Sequence, residues 1–388
     1  MKIIVVVPWA PSVTRPRSLG LISYLAKNHD VLVVGATWSA SDAEELQQLP
    51  VTRVVAVPMK KTGAYWRSLV GLLKGRSLQQ SYVDSPHFRS VLRQAVAEFR
   101  PDLAFFNVIR TAQFGNEVGE IPTVIDLDEF RSSYYELLSE TSKNPMWRII
   151  ASLEKKRMRE AEERVLAEFN RVIVSSPTDL QPNNPGIRLV RSPHALSSPL
   201  GSSENRARND LRIIFVGRQS YRANAEAVNW FVREVLPGVL KRVPNAHLFI
   251  VGDAPPKSTR RLGSDNVTVT GRVKDVAEHY ASATVSVIPV TMATGVQMKL
   301  IESMVMGTPV VATPIVARGA GVDTQHCYVA STAAEWIDMV VAALTDEGSS
   351  ASLVERARTW VGSEYSVDSI YRSLDEALSG IAVTKELR

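Results

Sequence analysis

The chain has 388 residues, 45% of them hydrophobic and 22% charged, enough for two ordinary domains with substantial cores and too apolar for a disordered polypeptide. Lys and Arg total 45 against 40 for Asp and Glu, and the net charge of +5 suits phosphorylated substrates or an anionic membrane surface while being too mild to imply nucleic acid. Cys327 is the single cysteine, which excludes an internal disulfide and a cysteine-rich metal site. No uncharged run approaches the roughly 20 residues of a spanning helix. The start, MKIIVVVPWAP, is too short and strand-like for a signal peptide, so a cytoplasmic protein is expected.

Along the first half, β-branched apolar runs at 3–7, 31–34, 54–57, 103–106, 123–125 and 172–174 read as buried strands. Helical patterns lie between most of them, at 17–27 and, long and heavily charged, at 144–169. Such alternation predicts a parallel sheet covered by helices on both faces. Within it, the segment from Lys60 to Arg76 sets Tyr65, Trp66, Leu69, Val70, Leu72 and Leu73 among Lys60, Lys61, Arg67, Lys74 and Arg76. It fits a basic amphipathic helix resting on an anionic membrane and reaching a lipid-linked acceptor. It also fits, and somewhat better, an ordinary helix packed on the sheet by its apolar face.

After Arg191 the pattern lapses, and the polar stretch 197–210 (SSPLGSSENRARND) reads as a linker. The run 211–217 (LRIIFVG) then restarts the series as residues 2–7 began it. A helix is expected at 223–242, strands at 247–251 and 267–270, a helix at 275–281 and a strand at 284–288. This organisation predicts a first domain at 1–196, a linker at 197–210, a second domain at 211–365, and a last helix at 366–388 packing back on the first domain. Two doubly wound domains of this kind would face a central cleft at the carboxyl ends of their sheets.

The richest segment is 294–309, TGVQMKLIESMVMGTP, set between the apolar runs ATVSVIP and PVVAT. Met298, Ile301, Glu302, Val305 and Met306 recur at helical spacing, and Gly307 with Pro309 ends the helix. Gly295 therefore lies where a strand hands over to a helix, a position whose free N–H groups favour an anion. Lys299 and Glu302 share one face of that helix. A cation for phosphate beside a carboxylate for sugar hydroxyls suits a nucleotide-diphosphate ligand. A surface Lys–Glu pair on a packing helix would look the same in isolation.

Three further passages, FVGRQSYRANAEAVNWFVREVLP, LFIVGDAPP and VTVTGRVKDVAEHYASATVSVIP, bear on this choice together with the same segment extended, TGVQMKLIESMVMGTPVVATPIVARG. In order and spacing they resemble glycosyltransferase family 4, over most of 211–365. VIDLDEFRSSYY in the first half is similar more loosely, to a bacterial subgroup associated with exopolysaccharide and other cell-surface glycans. The resemblance implies the α/β GT-B architecture, two Rossmann-like doubly wound parallel-sheet domains, and sugar transfer from a nucleotide-diphosphate sugar with retention of configuration. It implies no cofactor and no metal, the nucleotide sugar being a co-substrate and the acceptor a glycan, a lipid-linked molecule or a small molecule.

Residue by residue, Glu302 matches the carboxylate that holds the ribose, an acceptor-only group suited to two hydroxyl donors. Arg218 matches the pyrophosphate-binding arginine, with Lys299 as a second cation. Gly295, Val296 and Gln297 would lend N–H groups to the sugar and phosphates, and Arg272 and Val273 would touch the base through the backbone. The chain also departs from the family. Thr294 stands where the family commonly has a sugar-contacting Glu, so the donor sugar cannot be read from that motif. The family's Lys shortly after the arginine is missing, with Arg222 as its stand-in. PWAPSVTRPRS replaces the first glycine-rich turn, so Arg15 and Arg17 would face the cleft without it.

Asp128 aligns with the first-domain histidine of many relatives and fits a catalytic carboxylate or the N-cap of a helix at 129–138 equally well. Asp126 and Asp128 also imitate the DxD metal motif of another glycosyltransferase fold. Two rival functions remain open at this point. A nucleotide-sugar epimerase of similar fold would need paired acid and base residues, for which only Asp128 and Glu129 offer themselves. A catalytically silent nucleotide-binding homologue draws support from Thr294.

Overall fold

A computed structural model of the chain describes residues 1–142, 144–193 and 211–381. The expected linker at 197–210 lies outside the described residues. Contacts divide the chain into two compact units, Met1–Ala195 with Val367–Arg388, and Leu196–Ser366.

The first unit is built on β1 (Lys2–Val7), β2 (Asp30–Thr37), β3 (Arg53–Pro58), β4 (Leu103–Asn107), β5 (Thr123–Asp128), β6 (Arg171–Val174) and β7 (Ile187–Leu189). They form one seven-stranded parallel sheet in the order β3-β2-β1-β4-β5-β6-β7. Residues 3–7 of β1 are fully buried, because helices cover both faces and alternation has no solvent side to serve. Alternate residues instead feed two cores: Ile4 and Val6 pack with Phe106, Phe114 and Ile125, while Ile3, Val5 and Val7 pack with Leu21, Leu25 and Phe105. Each such side chain contributes roughly 1.5–3 kcal/mol by leaving water.

Helix Val367–Leu378 belongs to this unit. Its buried Ile370, Leu374 and Ala377 join the second core, Tyr371 stacks on Tyr24 with ring centres 3.8 Å apart, and the Tyr24 hydroxyl donates to Asp375 at 2.6 Å. Two details differ from the sequence expectation. β7 is too short to stand out as an apolar run, and the helix after β5 is Arg131–Thr141, beginning after Phe130 without a side-chain cap.

The second unit holds β8 (Arg212–Val216), β9 (His247–Val251), β10 (Val267–Gly271), β11 (Val285–Ile288), β12 (Val310–Ala312) and β13 (Tyr328–Val329). The sheet is parallel, in the order β10-β9-β8-β11-β12-β13. Both sheets thus place their first strand beside their fourth, and the crossovers leave that pair in opposite directions. This is the topological switch point, where α/β sheets open a crevice at their carboxyl ends.

The single helix expected at 223–242 is helical throughout but not uniform. It runs as Arg222–Trp230, a π turn at Phe231–Val235, and Leu236–Arg242. Pro237 explains the break, since it lacks an N–H and crowds the carbonyl one turn back. Trp336, from helix Ala333–Thr345, packs edge-on against Trp230 and Phe231 at this irregular turn.

Candidate functional site

The second sheet's switch point collects the residues that the sequence singled out in the second half. Gly217 and Arg218 follow β8, Asp253 follows β9, Arg272 follows β10, and 294–297 follow β11. The β8 and β9 loops are stitched together: Gly217 N donates to Val251 O at 2.9 Å and Gln219 N to Asp253 O at 3.0 Å. Gly252, at φ +148°, lies so close to the Gly217 carbonyl that a Cβ has no room, so only glycine permits this approach.

Gly295 turns the chain at φ +62°, a conformation glycine adopts without strain. Gln297 then precedes helix Met298–Val305 with no side-chain cap; Leu300 N donates to Gln297 O at 2.9 Å, and no side chain caps the turn before it. Leu300, Ile301 and Met304 bury one face of this helix, which aims Lys299 and Glu302 toward the strand ends.

Lys299 Nζ donates to Asn224 Oδ1 at 2.6 Å, and Asn224 Nδ2 donates to the Arg218 carbonyl at 2.9 Å. Asn224 thus ties the lysine to the arginine loop. Burial pulls the Lys299 ammonium down to about 8, with Glu302 opposing it. Burial also pushes the Glu302 carboxyl up, against Tyr280 and Lys299, which both favour its charged form. The Tyr280 hydroxyl, wholly buried, donates to Glu302 Oε2 at 3.1 Å. Arg218 is open to solvent and approaches Asp253 at 3.4 Å. Arg222 opens its helix in an exposed pair with Glu226 at 2.8 Å, four residues on. Arg272 is exposed and Val273 half-buried against the small core around Tyr280. Thr294, Gly295, Val296 and Gln297 are all half-buried. Tyr280, Asn224 and Asp253 were not singled out in the sequence. The one available signal for Asn224 was an amide in the first helical turn after a strand and glycine.

In the first unit the structure departs from expectation. Arg17 is buried, not presented as a free cation: its Nε and Nη2 donate to Asp126 at 2.6–3.1 Å, and its Nη1 to Val190 O and Ser192 Oγ. Its Nε also lies 3.4 Å from Asp128, so a guanidinium fills the place between Asp126 and Asp128 that the DxD reading assigns to a metal. The N-cap reading of Asp128 also fails, because the next helix starts beyond it and has no side-chain cap. Asp128 sits at φ +67°, its carbonyl accepting from Ser175 N and Oγ, and its carboxylate is 44% exposed. Arg15 donates to Ala10 O at 2.9 Å and lies over the Trp9 ring.

Helix Lys61–Leu73 buries only Ala64 and Gly71. Tyr65, Trp66, Leu69 and Leu73 are exposed at 66%, 67%, 49% and 82%, so the apolar face is not packed on the sheet. Arg67 turns inward and donates to Tyr82 O, whereas Lys60, Lys61 and Lys74 stay in solvent. The neighbouring helix Pro145–Glu168, joined to it by Arg157 donating to Leu72 O, exposes Met146, Trp147, Ile149 and Leu153. No helix among the described residues is long and apolar enough to cross a membrane.

Residues 210–346 match the family model of the glycosyl transferases, group 1. Solved structures match nearly the whole chain. Anabaena Alr3699/HepE in complex with UDP superposes with a TM-score of 0.70 at 17% identity, over 98% of this chain and 100% of that one. The fold is GT-B. Sucrose-phosphate synthase from Thermosynechococcus elongatus shares this GT-B fold with a TM-score of 0.68 at 16% identity, covering 99% of this chain and 100% of that one. WaaG, a glycosyltransferase involved in lipopolysaccharide biosynthesis, does so at 0.63 and 14%, covering 98% and 100%. No curated protein matches by sequence. In GT-B terms, the group 1 match falls on the unit that carries Arg218, Lys299 and Glu302.

Proposed function

We propose that the protein is a family 4 glycosyltransferase moving a sugar from a nucleotide-diphosphate sugar to an acceptor hydroxyl, with retention, in bacterial glycan or glycoconjugate synthesis. One observation carries this reading: Lys299 and Glu302, a half-buried cation and a half-buried carboxylate, stand on one helix at the second sheet's switch point. Glu302 would accept both ribose hydroxyls, held in aim by Tyr280. Lys299, Arg218 and the uncapped helix start at 296–298 would stabilise the charge that grows on the β-phosphate as the sugar leaves. The acceptor hydroxyl would attack on the leaving-group side and pass its proton to the departing phosphate, so no protein base is required. Asp128 would contact the acceptor from the first unit. HepE was crystallised with UDP and with UDP-glucose, which makes uridine sugars the first donors to try.

The same reading includes peripheral contact with the membrane through the exposed faces of the 61–73 and 145–153 helical segments. Eight exposed large apolar side chains are rimmed by Lys60, Lys61, Lys74 and Arg148, the composition expected of an interfacial surface.

Saturation-transfer NMR with a panel of nucleotide sugars tests the donor site. Binding should weaken in Glu302→Gln, which loses charge-assisted hydrogen bonds worth roughly 1.5–3 kcal/mol. Arg218→Ala should lower kcat more than donor affinity, since its contribution grows toward the transition state. Wild-type behaviour in both variants would overturn the assignment.

A further inference from the structure

Trp9 follows β1 and Arg110 follows β4, the two neighbouring strands at the first sheet's switch point. Two guanidinium groups lie over the Trp9 ring, that of Arg110 at 4.8 Å and that of Arg15 at 5.2 Å from its centre. Arg110 is largely enclosed. Its Nε donates to Gln79 Oε1 at 3.1 Å, and Gln79 Nε2 donates to the Tyr135 hydroxyl at 2.7 Å. Tyr82 stands on another side, stacked on Trp38 at 4.7 Å, and Trp38 Nε1 donates to Pro8 O.

Among the described residues no carboxylate pairs with Arg110 or Arg15, although the nearby Arg131 pairs with Glu129. Burial, with Arg131 and Arg15 close by, pulls Arg110 down to about 10, so it still carries its charge at neutral pH. Enclosed charges in folded proteins are normally paired, because desolvation without a partner is costly. Trp9 Nε1 is likewise buried without an acceptor among the described residues. An unpaired guanidinium presents a planar fork that matches phosphate and carboxylate oxygens. An aromatic ring beside it offers an apolar face to a sugar ring.

We infer that the carboxyl end of the first sheet is a subsite for an anionic carbohydrate, one carrying a phosphate or carboxylate, with Arg110 and Arg15 on the anion and Trp9 against the sugar. That this carbohydrate is the sugar acceptor rests on the transferase reading above; the anion subsite does not. Arg110 and Arg15 then select acceptors by charge.

The test uses the full chain without donor, titrated with glucose, glucose 6-phosphate, glucuronate and inorganic phosphate by calorimetry. The two charged sugars should bind at least about tenfold more tightly than glucose, and Arg110→Gln and Arg15→Gln should each remove roughly 10- to 100-fold of that affinity. UDP affinity should stay unchanged in both variants. Arg110→Lys, which keeps the charge within the enclosed site, should recover part of the affinity and guards against a fold lost in Arg110→Gln. Trp9→Leu should bring glucose 6-phosphate down toward inorganic phosphate. Response to only one of the two charged sugars identifies the anion. Equal binding of glucose and both charged sugars, or unaltered affinity in the arginine variants, overturns the subsite. Loss of UDP-sugar binding with the anion subsite intact would overturn the transferase reading alone.

Discussion

Tyr280, its side chain fully buried, donates its hydroxyl to Glu302 across 3.1 Å from a helix 22 residues earlier in the chain. In the proposed transferase it is a positioning residue: it holds one carboxylate oxygen and leaves the other for the nucleotide. It also lowers the Glu302 pKa against the burial that raises it.

Tyr280→Phe should therefore weaken donor binding by roughly three- to tenfold, less than Glu302→Gln, because the carboxylate remains. The diagnostic readout is pH. Glu302 must be ionised to accept two hydroxyls, so donor affinity falls as pH drops through its pKa. Without Tyr280 that fall should begin at higher pH. A uniform loss of affinity with an unshifted profile would make Tyr280 a packing residue only.

Lys299 titrates near 8 in the free protein. A pyrophosphate favours the ammonium, so binding should be strongest below that pH and weaken as pH rises through it. For stability the sign is opposite in origin. The folded state holds this proton less tightly than the unfolded chain, so stability rises with pH between about 8 and about 10.5. Lys299→Met should abolish the alkaline decline in UDP-sugar affinity measured by calorimetry. A decline that persists in Lys299→Met would assign it to another group.

Burial, with Glu129, Asp128 and Glu162 nearby, pushes Asp179 up to about 7. Its folded pKa lies above its unfolded value, so its contribution to stability is full below about 4 and is lost as pH rises through about 7. Asp179→Asn, neutral throughout, should be more stable than the parent near pH 8 by roughly 1–2 kcal/mol and no different near pH 4. Thermal unfolding at the two pH values checks this, and an unchanged or lower Tm near pH 8 refutes it.

The exposed apolar surface predicts sedimentation with vesicles containing anionic lipid and release by salt, as screening shortens the attraction. Exchanging Lys60, Lys61 and Lys74 for Gln should reduce binding by roughly 1 kcal/mol per residue. Trp66→Ser with Trp147→Ser should reduce it even in low salt. Equal recovery on neutral vesicles would remove the electrostatic part, and no recovery on either would remove the surface.

Much of the candidate site in the second unit was legible because it is local. Lys299 and Glu302 share a helix face by spacing alone, and the glycine before that helix is written beside them. Arg17 was misread for the converse reason. Its partner Asp126 lies 109 residues away, so a cation in a loop looked free until the sheet brought β5 to it. The tie of Asn224 to Lys299 was hidden for the same cause, since 75 residues separate them. The helix 61–73 was ambiguous because an amphipathic pattern states that a helix has two faces, not which one is covered.

Chain order and apolar period by themselves determined two parallel α/β sheets, the strand ends where ligands gather, and the Lys299–Glu302 pair. These follow from interactions between residues a few positions apart, and from the burial of strands on both faces. Only the tertiary structure decided which charges are already neutralised. A guanidinium and a carboxylate pair through space, so Arg17 is spent on Asp126 while Arg110, half-buried, meets no acid among the described residues.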